Sequence, residues 1–374
     1  MIGGRRCCRT FLAIGTVIYT KARFSPILQL YQTQHYLPES GSCKFYLVST
    51  TNHSDGNSEP TLARTLARHG AKILVSLALF VLIFRAVDFR EVLEVVRSLN
   101  PWLLVPALGL QILSALVAAL RWYMIMHALQ FGEKPGFYVR SYFKGTFFNQ
   151  ALPTSIGGDA LRVLEVAKVG GGKREAFYGV FIDRIVGLLG LLLLNLIAIT
   201  INPIFLENNP AVHYAIIAMA LFGFTGVFVL TLLGDVKWLA NNRVTRLAHD
   251  LSHRIRTVYR TGRTITIQTA LSVVIHLLSM MTVYLIGRSI GLDYNLLIYL
   301  VVVPPVILLT IVPISLAGWG VRETGMIGLF LLIGAQKAAV LSMSLIYGLM
   351  LVAASMPGLY FFLIARQRNS GSKA

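Results

Sequence analysis

Two stretches decide how this chain is read: residues 147–162, FFNQALPTSIGGDALR, and residues 307–323, ILLTIVPISLAGWGVRE. With Pro153 set on Pro313, Ser155 falls on Ser315, Gly158 on Gly318 and Arg162 on Arg322, while Ile156 matches Leu316 and Gly157 matches Ala317. Four chemically distinct residues in one register point to an internal duplication. Proline removes a backbone donor and ends a helix, and glycine permits bends and close backbone approach. Each segment is therefore predicted to break a helix and restart it. Pro153, Gly157 and Gly158 supply the first break, and Pro313, Gly318 and Gly320 the second.

The surroundings of both stretches place them in a membrane. The chain has 374 residues, 55% of them hydrophobic and only 13% charged, with a mean hydropathy of +0.67. A soluble domain carries about a quarter charged residues, so a polytopic membrane protein is the expected class. Apolar runs near the 20-residue spanning length recur at 71–87, 101–120, 177–200, 211–233, 264–287, 294–312 and 338–364, with shorter ones at 137–152 and 324–336. The expected fold is all-α, with about seven to nine membrane segments in two inverted halves carrying broken or re-entrant helices. Residues 1–60 differ in composition and read as a disordered extension, 61–366 as the transmembrane domain, and 367–374 as a short cytoplasmic tail.

The net charge of +18 has its own pattern. Basic residues lie between apolar runs, as in the cytoplasmic loops of membrane proteins, which argues against nucleic acid as a partner. The stretch 234–263 holds seven Lys and Arg and is expected inside; 88–100 and 201–210 are not rich in Lys or Arg and are expected outside. Arg121 and Lys134 after the second span, and Arg366, Arg368 and Lys373 at the end, agree with both termini being cytoplasmic. Phe89, Val92, Val96 and Leu99 fall on one helical stripe, which predicts an interfacial helix.

Broken backbone at membrane depth is tolerated only where protein buries it or it lines a polar cavity. Ionisable groups there are functional candidates, and paired interrupted segments point to a transport site. The candidates are Asn149, Asp159 and Arg162 in the first segment, Asp183 and Arg184 in the following span, and Arg322 and Glu323 in the second segment. Asp183 and Arg184 point about 100° apart on a helix, so each should face another group, with Arg162 or Arg322 a natural partner for Asp183. His276 is expected to hydrogen-bond a neighbouring helix, and Met280 and Met281 to pack in the core. No motif implies a catalytic residue, metal or cofactor: GGGKR at 170–174 lacks the spacing of a phosphate-binding loop, and the three cysteines lie before residue 44 without metal-ligand spacing.

FFNQALPTSIGGDALR, then VFIDRIVGLLGLLLL, then PISLAGWGVRETG resemble the transmembrane part of the lysylphosphatidylglycerol synthase family, the flippase-like integral membrane proteins. The likeness covers about residues 70–365 with three motifs in order. It implies an inner-membrane protein that handles polar lipids and moves them between leaflets, with anionic headgroups as its ligands. A separate lipid-modifying enzyme and a second copy of the chain are candidate partners. Bifunctional members carry a further acyltransferase-like domain after this region. Nine residues follow Ala365 here, so lysyl transfer is not expected of this sequence. The alternative is a membrane enzyme or accessory subunit in lipid aminoacylation or polyprenyl-phosphate sugar transfer, which should bring an acidic metal cluster or an interfacial catalytic His.

Overall fold

The computed structural model describes residues 88–371 apart from 152–156, 171, 206–208, 233–242, 312–314 and 316, together with positions 74, 77, 81 and 82. The extension 1–60, most of the 71–87 span, and Pro153, Ser155 and Pro313 lie outside the described residues. Everything described belongs to the second of two compact units, 58–374.

Among the described residues the regular structure is wholly helical. The helices are α1 (Phe89–Arg97), α2 (Leu104–Ala128), α3 (Pro135–Ala151), α4 (Gly157–Val169), α5 (Gly172–Ile201), α6 (Pro210–Leu232), α7 (Arg243–Val258), α8 (Gly262–Ser289), α9 (Leu296–Ile311), α10 (Val321–Leu331) and α11 (Lys337–Gly371). Five are long and apolar enough to cross a membrane: α2 with its leading turn, α5, α6, α8 and α11 up to Ala365. The expected all-α polytopic class is what the chain adopts.

Polar side chains join the long helices, as they must where lipid offers no hydrogen bonds. On α2 and α8, Ser114 donates to the Ile275 carbonyl at 3.0 Å and meets Ser279, while Thr282 donates to Ala107 at 3.2 Å. These pairs run in opposite directions, so the two helices are antiparallel. Asn195 on α5 meets a more specific need. Pro304 and Pro305 inside α9 lack the N–H groups that the carbonyls of Leu300 and Val301 would accept from. The Asn195 amide nitrogen donates to both carbonyls at 2.9 Å. His276 pairs with the Gly187 carbonyl of α5 at 2.8 Å, and Met280 is buried in the main core, both as expected.

Helix α1 begins at Asp88, whose carboxylate accepts from the Arg90 N–H at 2.8 Å. A helix forms where the apolar stripe predicts one. Val92 packs against Ala338 and Leu341 of α11, and Val95 and Leu99 join the main core, whereas Val96 is exposed.

Four shorter helices form two hairpins. α3 and α4 pack on one another across residues 152–156, and α9 and α10 do so across the break that ends at Gly320. At 1.5 Å per residue their lengths run from about 17 to 25 Å, short of the roughly 30 Å hydrocarbon core. α11 packs against both hairpins, touching α3 and α10.

Candidate functional site

The first hairpin closes because two glycines touch. A Cβ on Gly158 would overlap the Gly145 carbonyl, and one on Gly145 would lie 2.9 Å from the Arg162 side chain. Asn149 comes from the last turn of α3 and accepts the Gly158 N–H at 2.8 Å. It thereby occupies one of the unpaired donors that begin α4. Arg162 follows one turn into α4.

Arg162 is 2% exposed and meets two carboxylates: Nη2 donates to Asp183 at 2.8 Å and Nη1 to Asp159 at 3.2 Å. Its flat face stacks 4.0 Å from the Trp122 ring and 4.7 Å from Tyr142. Asp183 is held from the other side by Arg121, whose Nη2 and Nε donate to one oxygen at 2.8 and 3.2 Å. Arg121 also donates to the Asp183 carbonyl and to Ser272. Arg184, half exposed, grips Asp159 through two bonds of 2.7 and 2.9 Å. Three guanidinium groups thus share two carboxylates. The hydroxyl of Tyr259 is buried without a hydrogen-bond partner among the described residues, and burial pushes it well above the usual phenol range.

The second hairpin builds a smaller version. Gly318 and Gly320 have φ of +81° and +86°, the left-handed region where glycine carries no Cβ penalty, and α10 starts immediately after them. Glu323 reaches back to accept the Gly320 N–H at 2.6 Å. Arg322, 4% exposed, donates to Glu323 through Nη2 at 2.6 Å and Nε at 3.1 Å, and Ser344 of α11 completes the set. Its guanidinium lies 4.7 Å from the Trp319 ring and 5.9 Å from Tyr347. Gly348 makes room for it, since a Cβ there would overlap Arg322 and sit 2.8 Å from Trp319.

Five of the seven polar candidates named from sequence, Asp159, Arg162, Asp183, Arg184 and, through the α4 cap, Asn149, gather around the first hairpin. Arg322 and Glu323 form a separate pair, and among the described residues none bonds to both arginines. Arg322 meets α11 at Gly348, whereas α3 meets it at Gly358, whose Cβ would overlap the Phe143 carbonyl. Ten residues of helix separate those levels by about 15 Å. Arg162, not Arg322, proves to be the partner of Asp183.

Arg121 requires a correction. It was expected in a loop after the second span, but α2 continues to Ala128 and buries it at 4% exposure. The run LSALVAALRWYMIMHA carries the signal, a charge with apolar residues on both sides. Trp122, Tyr142, Ser344 and Tyr347 had no signal of their own.

Buried charge networks among long apolar helices define an all-helical, polytopic membrane protein with ionic groups held at depth. The chain matches the lysylphosphatidylglycerol synthase transmembrane region over residues 71–357, and it belongs to that family. Membership supports a membrane-lipid-related role. No curated protein matches the chain.

Proposed function

We propose that this protein binds polar or anionic lipids and moves them between the leaflets of the cell (inner) membrane, with both termini cytoplasmic. One observation carries the reading. Each hairpin presents, in the first turns of its returning helix, a buried arginine stacked on a Trp and a Tyr and neutralised by a carboxylate. Ionisable groups are costly at such depth, and a guanidinium fork suits phosphate. The carboxylates are the resting counter-ions. A lipid phosphate would compete with Asp159 for the first arginine and with Glu323 for the second, and the third guanidinium of the first network, Arg184, leaves that network with one positive charge in excess. Passing the headgroup between the two stations would move it along the α11 axis.

The test is a leaflet-resolved assay in proteoliposomes with fluorescent phosphatidylglycerol. Transfer by the wild-type chain should fall in Arg162→Lys and in Arg322→Lys. Transfer no faster than in protein-free vesicles would overturn the reading.

A further inference from the structure

A second basic feature lies away from both arginine stations. Between the start of α3 and the end of α11 is a pocket of about 390 Å³ lined by Phe137, Arg140, Lys144, Tyr360, Phe361 and Ile364. Phe137, Arg140 and Lys144 recur at helical spacing on one face of α3, and Tyr360, Phe361 and Ile364 on one face of α11. The walls are aromatic and aliphatic while the polar ends are cationic. Both helices are within a few turns of their ends here; Lys134 precedes α3, and Arg366 and Arg368 belong to the last turns of α11. Aromatic rings beside Lys and Arg at helix ends are the usual furniture of a bilayer interface.

The two cations differ in state. Lys144 is 9% exposed and ion-paired with Glu165 of α4, and the second carboxylate oxygen of Glu165 is buried without a hydrogen bond. Arg140 is exposed and has no hydrogen bond or ion pair to any described residue. The pocket therefore offers one uncommitted guanidinium, a buried ammonium held by a carboxylate with spare accepting capacity, and apolar walls beneath them. An arginine fork matches a phosphate through two parallel charge-assisted bonds. The apolar walls select a phosphate that carries hydrocarbon.

We propose that the α3–α11 pocket is a seat for the phosphate of an anionic phospholipid, contacted by Arg140 and Lys144, with Glu165 as the competing counter-ion of Lys144. Phe137, Phe361 and Ile364 take the glycerol and upper acyl chains. Binding draws Lys144 from Glu165 towards the phosphate. The seat is independent of the translocation reading, because none of its residues belongs to the Arg162 or Arg322 networks.

Native mass spectrometry of the full chain in detergent tests this, using dioleoyl phosphatidylglycerol and dioleoyl phosphatidylcholine as probes and inorganic phosphate as competitor. Losing one charge-assisted contact corresponds to roughly a tenfold fall in affinity, so Arg140→Ala should retain phosphatidylglycerol about tenfold more weakly and weaken phosphatidylcholine, whose choline offsets the phosphate charge, by less. Glu165→Gln should retain more phosphatidylglycerol than wild type, because it frees Lys144. Arg140 is exposed, so its variant keeps the fold even if Glu165→Gln does not. Undiminished phosphatidylglycerol retention in Arg140→Ala would overturn the seat. Displacement of phosphatidylglycerol by inorganic phosphate would overturn its assignment to lipid. Retention and leaflet transfer are read in separate assays, so a chain that loses phosphatidylglycerol on Arg140→Ala yet moves none in proteoliposomes separates the seat from failure of transfer.

Discussion

Arg162 and Arg322 occupy matching positions in two matching segments, yet they are held in different ways. Arg162 is secured by long-range partners: Asp183 from α5, Trp122 from α2, and through Asp183 a second arginine, Arg121, anchored to Ser272 of α8. Arg322 is secured mostly by its neighbours in sequence, Trp319 and Glu323, with Ser344 and Gly348 of α11 closing the site. The first network ties four helices together and has three cations for two anions. The second is a neutral pair on one hairpin. The matching motifs both carry an arginine, while the surroundings give one a tertiary lock and the other a local one.

Neutralising the carboxylates should expose this difference most strongly. Asp183→Asn leaves two buried guanidinium groups short of a counter-charge, and thermal unfolding in detergent should register a loss on the order of 3–5 kcal/mol. Glu323→Gln deprives a single arginine and keeps an acceptor in place, so its loss should be smaller, roughly 1.5–3 kcal/mol. Equal losses would remove the distinction between a tertiary and a local lock.

The glycine seats come next. Gly158→Ala drives a Cβ into the backbone of Gly145, and neither chain can yield, so the α3–α4 hairpin should lose about 1–3 kcal/mol. Gly348→Ala meets the far end of Arg322 and the Trp319 ring, which can shift. It should cost less stability but disturb the arginine. Greater destabilisation by Gly348→Ala would mean that the second station is the more rigid one.

Asn149→Ala should cost about 1 kcal/mol, the usual worth of a helix cap. It should appear in hydrogen exchange as lost protection confined to the first turn of α4. Loss of protection spreading to α3 or α5 would assign Asn149 a role beyond the cap.

The arginine-to-lysine exchanges should disturb folding least and function most. Lysine keeps the charge but not the planar fork or the stacked face, so each variant should insert normally while lipid transfer falls by about tenfold or more. A double variant, Arg162→Lys with Arg322→Lys, that transfers lipid like wild type would reduce both to structural charges.

Much of the site was legible in the chain because its carriers are rare residue types in an apolar context. An aspartate, an arginine or a Pro-x-Ser-small-Gly run stands out among leucines, and Asp159, Arg162, Asp183, Arg184, Arg322 and Glu323 were all visible on that ground. Arg121 stood in the same context but near the end of a run, where a charge reads equally well as a loop residue. Only the continuation of α2 to Ala128 decides between the two. On α1 the apolar stripe predicted the helix, while which neighbouring valine is buried depends on where α11 lies.

Composition and hydrophobic run length by themselves determined an all-helical membrane protein, because lipid leaves the backbone few other ways to satisfy its donors and acceptors. The repeated Pro, Ser, Gly and Arg register determined that two arginines would begin two returning helices. Tertiary structure alone decided their partners. Asp183 is shared between Arg121 and Arg162, residues 62 and 21 positions away. Asn195 covers the carbonyls freed by two prolines more than a hundred residues on. Periodicity reports which face of a helix is apolar, whereas a buried charge is matched by whichever helix packs against that face, and that choice depends on the packing of the whole chain.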